Sequence, residues 1–331
     1  MGKAFIGLLC TLCLLGCQKE PSIGPVSNFP LSSDTVYGRR LLIGCEGNFQ
    51  YNNASITAYG LETRKTVQRV YQTENGDPIG DVLQSIYRNG DSLFVVMNNS
   101  GLIRILADSS LEEIGLVEEL GSPRHVHFIG SDLMLVSDLF SQLISVVDMN
   151  SLQVLRTLSA EQWTEMFGEA GGEVFAAGMR DSVLLRINVQ HNLVDSIIQL
   201  RMAPEHLITS KDSLLIVGNT QDGGTLAWLT PKMELFYAGL DIAINDAAVH
   251  GNYVYVLGKN RVYVYNKKFV PIGGWKHGAT TPYGLFISDD GVFVADVKDY
   301  ISSGEVFYFG HDQQLKDRIP CGYIPQSMIS L

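Results

Sequence analysis

Residues 281–309 read TPYGLFISDDGVFVADVKDYISSGEVFYF, and three short strands are spelled out there with the turns between them. Residues 283–288 form an apolar run that ends at Asp289-Asp290-Gly291, the Asp-Gly type of hairpin signal between hydrophobic segments. Residues 292–295 make the second strand. A polar loop, 296–304, then leads to 305–309, where β-branched and aromatic residues mark a third strand.

The same pattern recurs along the chain. Second strands are expected at 40–45, 92–97, 132–137, 173–178, 213–218, 252–258 and 291–296, and from the second onward they start about 40 residues apart. Third strands follow in step at 55–59, 101–106, 142–148, 182–188, 224–229, 261–266 and 305–309. The longer step after the first unit marks an insertion there. A repeat of about 40 residues built from short strands, with no amphipathic helix of useful length, is the signature of a β-propeller of four-stranded blades. The expected fold is therefore all-β, a seven-bladed propeller over residues 35–331. A β-sandwich would account for the strands but not for the regular step.

The ends of the chain predict how the ring closes. First strands open with related phrases, Ser122-Pro123-Arg124-His125, Ala203-Pro204-Glu205-His206 and Thr281-Pro282-Tyr283-Gly284, and the chain finishes on Ile324-Pro325-Gln326-Ser327-Met328-Ile329. A final first strand with nothing after it must complete a blade begun elsewhere, and the first unit begins without one. The carboxy-terminal strand is thus expected to be the innermost strand of blade 1, leaving no open edge. Cys45 and Cys321 would then share a rim of that blade. They are expected to pair as a disulfide that clasps the ring shut, two free thiols packed as small hydrophobes being the alternative.

Residues 1–17 carry one charge, Lys3, then an apolar stretch, then Leu14-Leu15-Gly16-Cys17. This reads as a secretory signal ending in a bacterial lipobox, with Cys17 lipidated as the mature amino terminus. Residues 18–34 read as a flexible tether. The expected location is the outer membrane, reached through the lipid anchor, and the charged pair Lys19-Glu20 points to the cell surface. Charged residues make up 18% of the 331-residue chain and its formal net charge is −11. That acidity argues against nucleic acid as a partner, because phosphates demand a basic face.

Additions to the minimal repeat fall on the rim where first strands begin and second strands end: 46–54, 72–81, 159–167, 220–224, 297–303 and 310–323. Binding loops on a rigid scaffold are how such folds acquire function. Phe49, Tyr51, Phe140, Trp163, Tyr283 and Tyr300 offer flat apolar faces there, and Glu46, Asn48, Asn98, Arg124, Asp138, Arg180, Asn219, Asp222, Asp246, Asp296 and Lys298 offer hydrogen bonds. Together they suit a polar, ring-bearing ligand. Asp138 and Asp296 recur at one repeat position, as do Asn98 and Asn219, which also fits turn caps. His125, His127 and His206 could face the channel as metal ligands or as hydrogen-bonded strand residues. No nucleophile elbow, P-loop or dinucleotide fingerprint stands in suitable context, so neither a catalytic residue nor a cofactor is assigned.

Cys45-Glu46-Gly47-Asn48-Phe49 with Asn53-Ala54-Ser55-Ile56 resembles the opening phrase of the YVTN-repeat-like, seven-bladed propeller lipoproteins of Bacteroidetes, chains of the DUF5074-like kind. Residues 281–284, Ala295-Asp296-Val297-Lys298-Asp299-Tyr300 and Gly304 resemble their last blade, and Gly322-Tyr323-Ile324-Pro325 their closing phrase. Cys45 stands where those proteins carry Asn. Within that group, the resemblance implies a surface protein that captures vitamin B12, or a related corrinoid, and passes it to a TonB-dependent outer-membrane transporter. The other classes in view are a propeller enzyme of lactonase or quinoprotein kind and a protein-interaction scaffold.

Overall fold

The structure is a computed structural model, and it describes residues 38–179 and 182–331. The expected signal peptide, the lipidation site Cys17, the tether at 18–34 and Arg180 lie outside the described residues.

The strands form seven antiparallel sheets of four. The innermost strands, in ring order, are Pro325–Ser330, Leu83–Asn89, Pro123–Ile129, Thr164–Ala170, His206–Ser210, Asp246–His250 and Pro282–Ser288. Each lies against the next, and the last against the first, so the sheets close into the seven-bladed ring that the repeat implies.

Burial explains why the second strands are the loudest part of the sequence. Side chains alternate between the two faces of a strand. In Ser92–Met97, Leu93, Val95 and Met97 pack with Leu42 and Ile56 of blade 1, while Phe94 and Val96 pack with Val126 and Met134 of blade 3. Both faces are therefore buried, and the strand reads as an almost unbroken apolar run. Seven hydrophobic clusters result, one per blade interface. Each fully buried Leu, Val or Phe in them contributes about 1.5–3 kcal/mol. The outermost strands face water on one side, and Gln153–Ser159 and Leu193–Gln199 alternate between exposed and half-buried positions along most of their length.

The ring closes as the chain ends suggest. Pro325–Ser330 pairs with Arg40–Cys45 in the register Leu42 opposite Ile329 and Ile43 opposite Met328. The ladder ends in a reciprocal pair, Arg40 N–H to Leu331 O at 3.0 Å and Leu331 N–H to Arg40 O at 2.8 Å. Cys45 and Cys321 are fully buried side by side at the interface of blades 1 and 7, as two free thiols in hydrogen-bond contact. Burial pushes the Cys321 thiol well above its ordinary value. The backbones approach so closely here that a Cβ on Gly322 would stand 2.4 Å from Ser55 Oγ.

Three of the expected rim loops contain regular structure. Residues 72–81 follow from a short helix, Val70–Asn75, whose Tyr71 is 2% exposed and donates its hydroxyl to Glu113 at 2.7 Å. Gln72 Nε2 donates to Ala54 O at 3.0 Å, tying the helix to blade 1. Most of 310–323 is the outermost strand of blade 7, Leu315–Tyr323, and the innermost strand of blade 4 begins inside 159–167, at Thr164. Half-exposed outer strands carry enough polar residues to look like loops.

The opposite rim is monotonous. Its turn between third and fourth strands places one residue in the left-handed region in every blade: Arg64, Leu111, Leu152, Asn192, Met233, Phe269 and Gln313, with φ between 54° and 67°. Short hairpins built on a type I turn and a left-handed residue demand this. None of the seven is glycine, and Leu111 and Leu152 use the position to drop a side chain into the adjoining interface.

Candidate functional site: the mouth of the central channel

Where the innermost strands enter the channel, every blade contributes a polar group, and several of these groups pair across blades. Arg124 Nε donates to Glu165 Oε2 at 2.8 Å, and its Nη1 donates to Gln84 Oε1. His125 Nε2 lies 3.8 Å from the same Glu165 oxygen, while its Nδ1 pairs with the Tyr87 hydroxyl at 2.7 Å. Further round, His206 Nδ1 is 3.3 Å from Asp246 Oδ1. Asp246 also accepts the backbone N–H groups of Ala247 and Leu285, both at 2.7 Å, which fixes it against blade 7. Tyr283 donates its hydroxyl to Glu46, at the end of blade 1's second strand, and Arg124 attracts the same carboxylate. Gln326, on the closing strand, keeps its buried Oε1 without a hydrogen-bond partner.

The belt's electrostatics follow from burial in a narrow, poorly solvated channel. Desolvation pushes the Glu46 carboxyl up to about 7, opposed by the Tyr283 hydrogen bond and by Arg124. Desolvation, with Arg124 and His206 nearby, drives His125 down to about 3, so its ring is neutral at pH 7. Asp246 is raised by burial, with His206 and the two N–H donors pulling the other way. Tyr283 is raised by burial and by its acidic neighbour Glu46.

Around the mouth the loops present aromatic rings. The loop after Glu46 turns at Gly47, whose φ of +76° and neighbour Ala54 N, 2.5 Å from any Cβ, leave room only for glycine. It then exposes Phe49 and Tyr51. Asn48 Nδ2 donates to Tyr300 O at 2.8 Å, joining that loop to the one in blade 7. Tyr300 is 45% exposed and meets Tyr283 edge-on at 5.9 Å. Lys298 Nζ reaches Glu305 at 3.5 Å. Glu46, Asn48, Phe49, Tyr51, Tyr283, Lys298 and Tyr300 thus belong to one neighbourhood of blades 1 and 7, with Arg124 reaching toward it.

Four residues expected among the ligand contacts are staples instead. Asp296 is 1% exposed and accepts the N–H groups of Thr280, Thr281 and Lys298 at 2.8 to 2.9 Å. Asp138 accepts from Ser122, Phe140 and Ser141, and so shapes the turn that holds Phe140 in solvent. Asn98 donates to Pro123 O, and Asn219 exchanges hydrogen bonds with both the N–H and the C=O of Ile244. Each pins the loop entering a blade, which is the turn-cap role that their recurrence allows. Asp222 sits exposed at a hairpin tip, away from this neighbourhood. His127 faces Glu169 at 2.9 Å rather than His125 or His206. Gln84, Tyr87, Glu165 and Gln326 were not singled out in the sequence, although each lies in an innermost strand, as Arg124 and Tyr283 do.

Fold and site together define a propeller with a polar channel mouth ringed by aromatic loops. The family model described as "Domain of unknown function (DUF5074)" matches residues 40–231, more than half of the chain, and the protein belongs to that family. No curated protein sequence matches it. Among solved structures, a candidate 6-phosphogluconolactonase from Bacteroides fragilis superposes with a TM-score of 0.67 at 12% identity, over 91% of this chain and 99% of that one. A quinonprotein alcohol dehydrogenase-like protein from Bacteroides thetaiotaomicron gives 0.65 at 11% identity, over 87% and 77%. Apo AztD from Citrobacter koseri gives 0.63 at 10% identity, over 90% and 98%. At such identities the likeness shows the fold. No helix among the described residues is long and apolar enough to cross a membrane.

Proposed function

We propose that the protein is a lipid-anchored, outer-membrane surface binder that captures a polar, ring-bearing small molecule at the channel mouth, a corrinoid such as cobalamin being the ligand that this site suits best. The supporting observation is the joining of the Glu46 and Tyr300 loops: exposed rings at Phe49, Tyr51 and Tyr300 stand over a belt of fixed donors and acceptors. Flat faces bind a macrocycle by area and dispersion, and the belt of fixed donors and acceptors suits peripheral amides. The site binds without a reaction in this reading, and the loaded protein hands its ligand to a TonB-dependent transporter. The anchor is the lipid on Cys17.

Calorimetric titration with cyanocobalamin tests the ligand. The expected result is one corrinoid per chain with micromolar or tighter affinity, weakened about ten-fold or more by Tyr300→Ala, since loss of one stacked aromatic costs roughly 1–3 kcal/mol. Absence of heat at micromolar concentrations removes the corrinoid from this proposal. The anchor is tested separately by radiolabelled palmitate, whose incorporation should disappear in Cys17→Ser.

A further inference from the structure

On the rim opposite the channel mouth, between blades 5 and 6, lies a cavity of about 730 Å³. Small-molecule sites occupy roughly 300–1,000 Å³. Its apolar wall is Trp228 stacked on Phe269, with ring centres 6.2 Å apart and planes 11° from parallel. Phe236, 54% exposed, and Tyr237 add further rings to the lining. The left-handed backbone at Phe269, φ 60°, is what turns its side chain back over the indole.

The cavity is also cationic, in a chain whose formal net charge is −11. Lys211, Lys267 and Lys268 line it against a single carboxylate, Asp212. Lys267 is held in place, its Nζ 3.1 Å from Ser210 Oγ and 5.8 Å from the centre of the Trp228 ring. The corresponding cavity one blade on, between blades 6 and 7, is about 260 Å³ and has no lysine in its lining. Stacked rings beside an immobilised ammonium select a flat aromatic anion: the rings take its face, and the ammonium takes its charge.

We propose that this cavity is a second ligand site, separate from the channel mouth, for a planar aromatic carboxylate. The probe is 2-naphthoate, with neutral 2-naphthamide as its counterpart, followed by quenching of tryptophan fluorescence and by calorimetry. The expected result is one naphthoate per chain at a dissociation constant on the order of 10–100 μM. Naphthamide should bind about ten-fold more weakly, because it lacks the charge that the ammonium pairs with. Lys267→Ala should bring naphthoate down to the naphthamide level, and Phe269→Ala should weaken both probes, with thermal melting showing each variant folded. Tyr300→Ala, on the other rim, should change nothing. The proposal is overturned if naphthoate does not saturate below about 1 mM, if Lys267→Ala and Phe269→Ala leave its binding intact, or if Tyr300→Ala abolishes it.

Discussion

The two rims of the ring are built by opposite rules. On the lower rim one turn is repeated blade after blade, with a left-handed residue at the same place each time. On the upper rim the loops differ in length and sequence, and they are held by side-chain hydrogen bonds: three N–H groups on Asp296, three on Asp138, a two-way exchange on Asn219. A repeated turn is stable by its backbone geometry and tolerates many side chains. An irregular loop needs a dedicated polar residue, and two of the loops so fixed, at Asp138 and Asp296, carry exposed rings, Phe140 and Tyr300. The difference separates polar residues that hold the site from those that could touch a ligand.

The sharpest way to break this comparison is Asp296→Ala. It takes the acceptor from three part-buried N–H groups, and at about 1–3 kcal/mol for an unsatisfied group with partial relaxation, the expected loss is about 2–4 kcal/mol. Urea unfolding checks it; a loss under about 0.5 kcal/mol, the level of an ordinary surface substitution, would mean that the loops do not depend on their staples.

Next in size is Glu46→Gln. Because the folded carboxyl titrates near 7 instead of 4.5, the folded state holds its proton more tightly, and stability through this group falls as pH rises from 4.5 to 7. His125 acts in the opposite sense: its folded value near 3 lies below 6.5, so stability falls as pH drops below 6.5. The Gln variant keeps an acceptor for Tyr283 and removes the first slope. It should match the parent near pH 4.5 and exceed it by about 1–2 kcal/mol at pH 8, a figure set below the full pKa shift because the group is partly solvated. Urea midpoints at the two pH values decide it, and a variant less stable than the parent at pH 8 contradicts the buried, strained carboxylate.

The smallest effect is expected on the lower rim. Gln313 is exposed with φ 64°, where a side chain costs roughly 1–2 kcal/mol and glycine's extra freedom in the unfolded chain costs roughly 0.5–1 kcal/mol. Gln313→Gly should therefore leave stability unchanged or raise it by about 0.5 kcal/mol, read as a small rise in melting temperature. Marked destabilisation would show that the side chain, not the turn, holds this corner.

The ring was legible because its second strands are buried on both faces and repeat at a fixed step. The closing strand was legible because residues 324–329 repeat a phrase that elsewhere opens a blade. The outer strands were harder: Leu315–Tyr323 exposes polar residues and passes for a loop. At the site, recurrence misled. Asp138, Asp296, Asn98 and Asn219 recur because every blade must anchor an incoming loop, so the repetition marks shared structural duty. The channel belt was half seen, since Arg124, Asp246 and Tyr283 stood out while their partners Gln84 and Glu165 look like any polar residue in a strand; only the closed ring brings them together. The lower-rim cavity left no sequence signal, because it is assembled from turns of two blades that are each ordinary.

The pairing of Pro325–Ser330 with Arg40–Cys45 has a consequence in time. Blade 1 cannot be finished until the last strand has been made and delivered, so the most distant contact in sequence is also the one that locks the ring. Contacts of such separation slow folding, because loop entropy is lost before they repay it. Until then Arg40–Cys45 is an unpaired edge, a template for another chain. A chain of this design has to be kept from its neighbours until its final residues arrive, and clipping those few residues should disable the molecule more thoroughly than cutting any upper-rim loop.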